Sequence, residues 1–226
     1  MIFPISDYLD LTQTAHASLF DGLENPWLVL PLISPYLKTY LQPLNEGKAL
    51  GQPYVSDQVY IGQGTVIGNG ATINGPAWIG SNCEIRSGCY IRENVIVGDN
   101  VVLGNSCEFK NCIIFNGAQI PHFSYVGDSI VGYRAHLAAG VILSNMRLDQ
   151  KPVCISTPDG SIETGLRKFG AVVGDHAEIG CNSVLSPGSI IGRCSLIYPG
   201  TQWRGVLAAN SIARLRQQID IIHRRG

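Results

Sequence analysis

An apolar residue recurs every six positions through the middle of the chain, and this period constrains the fold more than any other feature. The first set has ten consecutive members: Ile61, Ile67, Ile73, Ile79, Ile85, Ile91, Val97, Leu103, Phe109 and Phe115. A second set has the same spacing: Val173, Ile179, Leu185, Ile191 and Ile197. Six residues make one short strand and turn of a parallel β-helix. We therefore predict an all-β solenoid over residues 53–205, with a loop insertion at 146–170.

Two further positions follow the same period. A small or β-branched residue comes four positions after each apolar one and is expected to point inward: Thr65, Ala71, Ala77, Cys83, Cys89, Val95, Val101, Cys107 and Ile113. The cysteines among them are interpreted as core residues, with reactive thiols as the alternative. A Gly or Asn often comes one position after the apolar residue, and we predict that it adopts the left-handed corner conformation: Gly62, Gly68, Asn74, Gly80, Gly98 and Gly104. The period then slips, close to His122.

The two ends of the chain lack the period. Residues 1–52 are predicted to form a helical cap, with Ser6 as an N-cap and Pro26 in a first turn, covering the open end of the first coil. Residues 206–226 are predicted to form a C-terminal helix, since Leu207, Ile212 and Leu215 follow one another at helical spacing.

Composition excludes several classes of partner. The 226 residues contain 16 Lys and Arg against 17 Asp and Glu, so no basic field favours nucleic acid or an anionic membrane. The longest apolar run, "WLVLPLI", is too short to span a bilayer. The opening "MIFPISDYLD" has no signal-peptide pattern, which favours the cytoplasm. Seven cysteines without a C-x-x-C pair argue against structural zinc.

Arg92 and Lys110 are the first candidates for a binding site. Both occupy a corner position, and they are eighteen residues apart, which is one coil of three hexads. Adjacent coils are spaced about 4.8 Å apart, so two stacked cations repel unless an anion lies between them. We interpret the pair as a phosphate site. The alternative is a solvated corner with the side chains apart.

His122 is the second candidate, because a neutral imidazole is the usual base near pH 7. A structural histidine is the alternative. A zinc site is not predicted, since His122 and His136 are fourteen residues apart and His176 is distant.

One segment carries a more specific resemblance. "IPHFSYVGDSIVGYRAHLAAGVILSN", followed by "MRLDQK", resembles the acetyltransferase domain of the bifunctional glucosamine-1-phosphate acetyltransferase and N-acetylglucosamine-1-phosphate uridylyltransferase. "TGLRKFGAVVGD" is more similar to the archaeal sugar-1-phosphate enzymes that combine both activities. The resemblance implies a left-handed β-helix, a homotrimer and acetyl-CoA as cofactor, with no metal.

The resemblance also implies the site residues. His122 would be the general base and Asn145 would orient the amine. Arg92, Lys110, Tyr125 and Lys151 would hold the amino sugar and its phosphate. The acetyl-CoA contacts would be His136, Ala139, Cys181 and Pro199.

Three residues depart from the family pattern: His136 replaces an Asn, Cys181 replaces a Ser, and Cys154 stands where a second Lys is expected. The chain is expected to acetylate a hexosamine 1-phosphate, with glucosamine 1-phosphate as the favoured acceptor, for UDP-N-acetylglucosamine synthesis, and not to uridylylate it. Two alternatives stay open. One is acyl transfer to a nucleotide-linked amino sugar, and the other is a non-catalytic sugar-phosphate-binding or assembly subunit beside a separate uridylyltransferase.

Overall fold

The computed structural model describes residues 2–216 and residue 222. In this part of the chain the strands form a parallel solenoid with three faces, which we call A, B and C in chain order. Face A consists of nine strands: Leu44–Asn45, Val59–Ile61, Ala77–Ile79, Val95–Val97, Cys112–Ile114, Ile130–Val131, Ala171–Val173, Ser189–Ile191 and Val206–Leu207. The predicted all-β solenoid is thus confirmed, whereas its left hand stays a prediction.

The other two faces repeat the arrangement. Face B consists of nine strands: Lys48–Ala49, Val66–Ile67, Glu84–Ile85, Val102–Asn105, Gln119–His122, His136–Leu137, Glu178–Ile179, Leu196–Ile197 and Ile212–Ala213. Face C consists of eight strands: Tyr54–Val55, Thr72–Ile73, Tyr90–Ile91, Glu108–Lys110, Tyr125–Gly127, Ile142–Leu143, Val184–Leu185 and Gln202–Trp203. Every pairing within a face is parallel, so each coil hydrogen-bonds to the coil above and the coil below.

The hexad residues fill the interior of the solenoid. Ile61, Ile79 and Val97 stack on face A in successive coils, and each is fully buried. Cys83, Cys89 and Cys107 are also buried in this core, as their interpretation as core residues required. Burial raises the pKa of all three thiols, which makes them poor nucleophiles at neutral pH.

The glycines after the hexad positions do not have the predicted role. Positive φ occurs three residues after the apolar position, for example at Gly64 (+77°) and Gly70 (+69°). Gly62 and Gly104 lie outside the left-handed region, but a Cβ at either position would overlap the neighbouring coil. At Gly104 the overlap is with the Pro121 carbonyl group. These glycines are therefore needed for close approach between coils.

The period slips earlier than predicted. The inward residue after Phe109 is Ile114, which pairs with Val97, so this step takes five residues and not six. Phe115 is not an inward residue. It packs outside face A, where its ring centroid lies 6.0 Å from that of Phe20.

A second five-residue step follows one coil later, between the inward residues Val126 and Val131. Both shortened steps fall at the corner from face C to face A, and their left-handed residues are Asn111 and Asp128. The predicted inward residue Ile113 consequently points outward, and Cys112 takes its place in the core. Removing one residue from a corner shifts every following side chain by one position.

The N-terminal segment covers the side of the solenoid. It contains the 3₁₀ helices Ile5–Asp7, Leu11–Gln13, Ala17–Phe20 and Pro26–Leu32 and one α-helix, Ile33–Tyr40. Its buried apolar residues pack on outward residues of face A, such as Ile96 and Ile130. The expected position over the open end is therefore not where this segment packs. Residues 44–49, within the predicted cap, already form strands of the solenoid.

The insertion leaves the solenoid and packs beside the N-terminal segment. It contains an antiparallel hairpin, Cys154–Thr157 with Gly160–Glu163. Phe169 and Ile155 are buried in the same outer cluster, and the Phe169 ring lies 5.9 Å from Trp27. The insertion and the N-terminal segment thus share one apolar core on face A.

The predicted C-terminal helix is wrong for the residues that the structure describes. Val206–Leu207 and Ile212–Ala213 are strands that pair with the preceding coil. Leu207 and Ala213 continue the inward columns of Ile191 and Ile197. Burial of these side chains in one more coil stabilises the strands more than the irregular helical spacing of the apolar residues would stabilise a helix. Positions 217–221 and 223–226 lie outside the described residues. No helix of the described chain is long and apolar enough to cross a membrane.

Candidate active site

The predicted cation pair lies on face C, but both cations face carboxylates. Arg92 and Lys110 occupy neighbouring coils, because the Arg92 backbone N–H donates to the Phe109 carbonyl. The Arg92 Nη1 atom lies 3.0 Å from Glu108 Oε1, and the Lys110 Nζ atom lies 3.6 Å from Asp128 Oδ2. The two residues thus lie on neighbouring coils as expected, but each side chain is paired with an acidic neighbour.

A polar cluster surrounds Asp128, at the shortened corner between faces C and A. Asp128 is only 4% exposed. Its Oδ1 atom accepts from Asn111 Nδ2 at 2.9 Å, and its Oδ2 atom accepts from Asn145 Nδ2 at 2.5 Å. The Asn145 amide also lies 3.2 Å from the Tyr125 hydroxyl. Lys110, Tyr125 and Asn145, which the resemblance implied as site residues, therefore meet at one place.

Tyr125 is half-buried beside this cluster. Burial, followed by the carboxylates of Asp128 and Glu108, raises the pKa of Tyr125. Its hydroxyl group is therefore protonated at neutral pH and serves as a hydrogen-bonding group.

A cavity of about 460 Å³ opens next to the cluster. Asn111 and Asp128 form part of its wall, and Arg167 and Lys168 come from the insertion. The remaining lining residues are mainly apolar: Leu30, Pro31, Met146 and Leu166. Both cations are exposed, and within the described chain no carboxylate forms an ion pair with them. The cavity combines polar groups, two cations and an apolar wall, which suits a small anionic ligand.

His122 lies at a different corner, from face B to face C. It is exposed, and its carbonyl accepts from Gly140 N–H at 3.0 Å. The same ladder continues upward: the Ala139 carbonyl accepts from Asn182 N–H at 2.9 Å, and the Cys181 carbonyl accepts from Gly200 N–H at 2.8 Å. His122, Ala139, Cys181 and Pro199 therefore form one column on successive coils.

His136 does not belong to this column. It lies on face B, where its Nδ1 atom is 2.8 Å from Glu178 Oε2 on the next coil. A cavity of about 440 Å³ beside the pair is also lined by Gln119 and Arg134.

Lys151 lies in the insertion and does not line the Asp128 cavity. It is exposed, and its backbone N–H donates to Asp149 at 3.3 Å. Lys151 and Cys154 line a smaller cavity of about 210 Å³. Within the described residues, no group of three or more His, Cys, Asp or Glu side chains could hold a metal ion.

Sequence reasoning missed Asp128, Asn111 and the two cavity cations. The signal for the first two was the five-residue step, which becomes visible once Ile114 and Val131 are counted as inward residues. Arg167 and Lys168 belong to a concentration of positive residues in the insertion, but only the packing of the insertion determines which of these cations reach the cavity.

Comparisons with known proteins cover the same region. A family model described as the GMPPB C-terminal domain matches residues 73–167. A bifunctional sugar-1-phosphate nucleotidylyltransferase/acetyltransferase of Sulfurisphaera tokodaii is 41% identical over 95 residues, which is 42% of this chain and 24% of that protein. The bifunctional protein GlmU of Methanococcus maripaludis is 41% identical over 92 residues, which is 41% of this chain and 22% of that protein.

Two further similarities are weaker or shorter. The uncharacterized acetyltransferase YaiX of Escherichia coli is 38% identical over 92 residues, covering 41% of this chain and 40% of that protein. A solved UDP-N-acetylglucosamine acyltransferase of Francisella novicida is 14% identical with a TM-score of 0.48, covering 74% of this chain and 64% of that one. That value is too low to support any conclusion about activity.

The chain spans between 22% and 40% of the length of these three curated relatives. Over the matched coils it is similar to the bifunctional sugar-1-phosphate enzymes, which is the resemblance that its motifs predicted.

Proposed function

We propose that the chain is an N-acetyltransferase that transfers acetyl from acetyl-CoA to the 2-amine of a hexosamine 1-phosphate, with glucosamine 1-phosphate as the favoured acceptor. The observation that carries the proposal is the convergence of Lys110, Tyr125 and Asn145 around Asp128. These residues lie within the region similar to the bifunctional sugar-1-phosphate enzymes. The adjoining cavity has the size and chemistry for such an acceptor.

In the proposed reaction, His122 takes a proton from the acceptor amine while the amine nitrogen attacks the carbonyl carbon of the thioester. The new C–N bond forms, the C–S bond breaks, and the sulfur of CoA leaves as a thiolate that is then protonated. Asn145 orients the amine, and Lys110 and Tyr125 hold the sugar. Arg167 and Lys168 are added to the proposed phosphate contacts, because both line the cavity without a carboxylate partner in the described chain.

The column above His122 suits a linear acyl carrier. Ala139 and Cys181 have small side chains, so the backbone of this corner is accessible to a pantetheine arm. Pro199 has no N–H and can offer only its carbonyl group. We assign acetyl-CoA to this corner, with His136 on the adjoining face as a further contact.

His122 and the Asp128 cluster lie at opposite edges of face C in one chain, with the strand Tyr125–Gly127 between them. Proton abstraction requires the base to approach the amine to about 3 Å. The proposal therefore includes a homotrimer, in which His122 of one subunit faces the polar cluster of the next subunit.

The decisive experiment incubates the purified chain with acetyl-CoA and a panel of acceptors. The panel contains glucosamine 1-phosphate, galactosamine 1-phosphate, glucosamine 6-phosphate and UDP-glucosamine. The N-acetylated product is measured by mass spectrometry, because Cys181 and Cys194 are exposed and would react with thiol reagents. Absence of product with every acceptor would refute the proposal.

A matched pair of variants tests the base. We expect His122→Asn to lower kcat by at least about 100-fold, as removal of a general base usually does. His176→Asn is the control, because His176 is also exposed at a corner and its left-handed φ of +57° suits Asn. Full activity in His122→Asn would show that another group takes the proton.

The second candidate function is acyl transfer to a nucleotide-linked amino sugar. It is favoured by the position of Arg167 and Lys168, since two exposed cations can bind a diphosphate. Product formation with UDP-glucosamine alone would support it. Binding of a sugar phosphate without turnover, or co-purification with a separate uridylyltransferase, would instead support a non-catalytic subunit.

A further inference from the structure

Asp128 is held between two asparagines on the coils below and above it. Asn111 precedes it by seventeen residues and Asn145 follows it by seventeen, and each donates its side-chain amide N–H to a different carboxylate oxygen. The alignment results from the shortened corners, since an eighteen-residue coil would place these residues out of register.

The arrangement determines which way the Asn145 amide faces. Its Nδ2 atom donates to Asp128 and lies within hydrogen-bond distance of Tyr125, and a carboxylate can only accept. The Nδ2 end must therefore point to Asp128, which leaves Oδ1 at the other end. Within the described chain no group donates a hydrogen bond to Asn145 Oδ1. An amide oxygen with free lone pairs accepts a hydrogen bond from an amine N–H. An amide NH₂ group at the same place would point its own hydrogens at the amine hydrogens and repel them.

We propose that Asp128 is a positioning residue, which fixes the Asn145 amide with Oδ1 available to the acceptor amine and holds the Lys110 ammonium beside the same site. This inference rests on the proposed function, because the amine is that of the proposed acceptor. A buried carboxylate is costly unless it is paired and hydrogen-bonded, and two of the side chains that partner Asp128, Lys110 and Asn145, are residues assigned to the acceptor.

The test compares Asp128→Asn with Asp175→Asn. Asp175 is the matched control because it is similarly buried (3% exposed), and its carboxylate accepts two backbone N–H groups and lies 3.0 Å from a cation, Arg193. It lies at the corner from face A to face B, away from the cluster. Each variant is compared with wild type by thermal unfolding and by kcat and KM for glucosamine 1-phosphate.

We expect Asp128→Asn to lower kcat by about 100-fold, because the misplaced amine no longer meets the thioester. Asp175→Asn is expected to lower stability with kcat within about twofold of wild type. Equal losses of kcat in the two variants, or an unchanged kcat in Asp128→Asn, would overturn the proposal. If Asp128→Asn fails to fold, Asp128→Gly replaces it, since glycine suits the φ of +47° at this corner.

A second readout does not depend on turnover. The side-chain amide signal of Asn145 in ¹H–¹⁵N NMR spectra is expected to shift in Asp128→Gly and to stay unchanged in Asp175→Asn. A shift in a chain that acetylates no acceptor would refute the proposed function but leave the role of Asp128 in orienting Asn145 intact. An unmoved Asn145 signal would refute that role even in an active enzyme.

Discussion

The guanidinium of Arg92 lies 3.0 Å from the Glu108 carboxylate on the neighbouring coil. A carboxylate at this distance competes with any phosphate for the same cation. Glu108→Gln removes the charge with little change in shape, so we expect up to roughly fivefold tighter binding of glucosamine 1-phosphate, the size of a partly exposed ion pair. Isothermal titration calorimetry measures the change. Glu84→Gln is the control, since Glu84 pairs with Arg86 on face B. Equal affinity in wild type and Glu108→Gln would contradict competition between Glu108 and the phosphate for Arg92.

The two cavity cations provide a second test of acceptor binding. Replacing both Arg167 and Lys168 by Ala is expected to weaken binding of glucosamine 1-phosphate by about tenfold or more, because charge-assisted hydrogen bonds to the phosphate are lost. Binding of acetyl-CoA is expected to stay unchanged, since the assigned corner lies elsewhere. Lys38→Ala, on the N-terminal α-helix, controls for the loss of a cation away from the cavity. Unaltered sugar-phosphate binding in the double variant would contradict the assignment.

Glycines of two kinds predict different costs on substitution. Gly104→Ala places a methyl group against the Pro121 carbonyl, so the coils must separate or the chain does not fold. In Gly70→Ala the new Cβ lies in open space, and the only cost is to hold alanine at a positive φ. This strain lowers the free energy of unfolding by about 1 to 2 kcal/mol. Urea unfolding compares the two variants. A smaller loss of stability in Gly104→Ala than in Gly70→Ala would contradict close packing of the coils.

His16 predicts a pH-dependent stability. It is buried between Tyr36 and Trp78, and its Nε2 atom has no partner in the described chain. Burial lowers the pKa of His16 to about 4, an effect that the Asp99 carboxylate only partly opposes. In the unfolded chain the pKa returns to about 6.5, so the unfolded state binds the proton first. Stability from the neutral imidazole is complete above pH 6.5 and is lost as the pH falls towards 4, by up to about 3 kcal/mol.

Urea unfolding between pH 7 and pH 4 measures this loss as the difference between wild type and His16→Gln. The variant is expected to show a flatter dependence of the unfolding free energy on pH. His176→Asn, which changes an exposed histidine, is expected to keep the wild-type slope. Parallel pH profiles for wild type and His16→Gln would refute the prediction.

Much of the fold was predictable because burial repeats with the chain. From Ile61 to Phe109 an apolar residue faces the interior at every sixth position. Each of these residues pairs with an inward apolar residue on the neighbouring coil. The prediction was wrong where one residue was removed from the period. Phe115 is apolar, as the hexad requires, but Ile114 is equally apolar and occupies the inward position. A run of adjacent apolar residues does not identify which member faces the core.

The candidate site was predictable only in part. Lys110, Tyr125 and Asn145 were identified by resemblance, and they lie in one cluster. Lys151 was also implied by the resemblance, and in the structure it lines a smaller cavity of the insertion, whereas Lys168 lines the cavity beside Asp128. Spacing is a reliable guide along regular coils and a poor one within a loop that has its own hairpin and core.

The sequence by itself determined a solenoid of short parallel strands, because an apolar residue at every sixth position can be buried only if the chain coils on itself. Only the tertiary structure decided that the N-terminal segment and the insertion cover face A, and that Asp128 lies between Asn111 and Asn145. The physical reason is the length of each coil. A seventeen-residue coil aligns residues that an eighteen-residue coil would separate, and the choice between them depends on how adjacent coils and the segments outside them pack together.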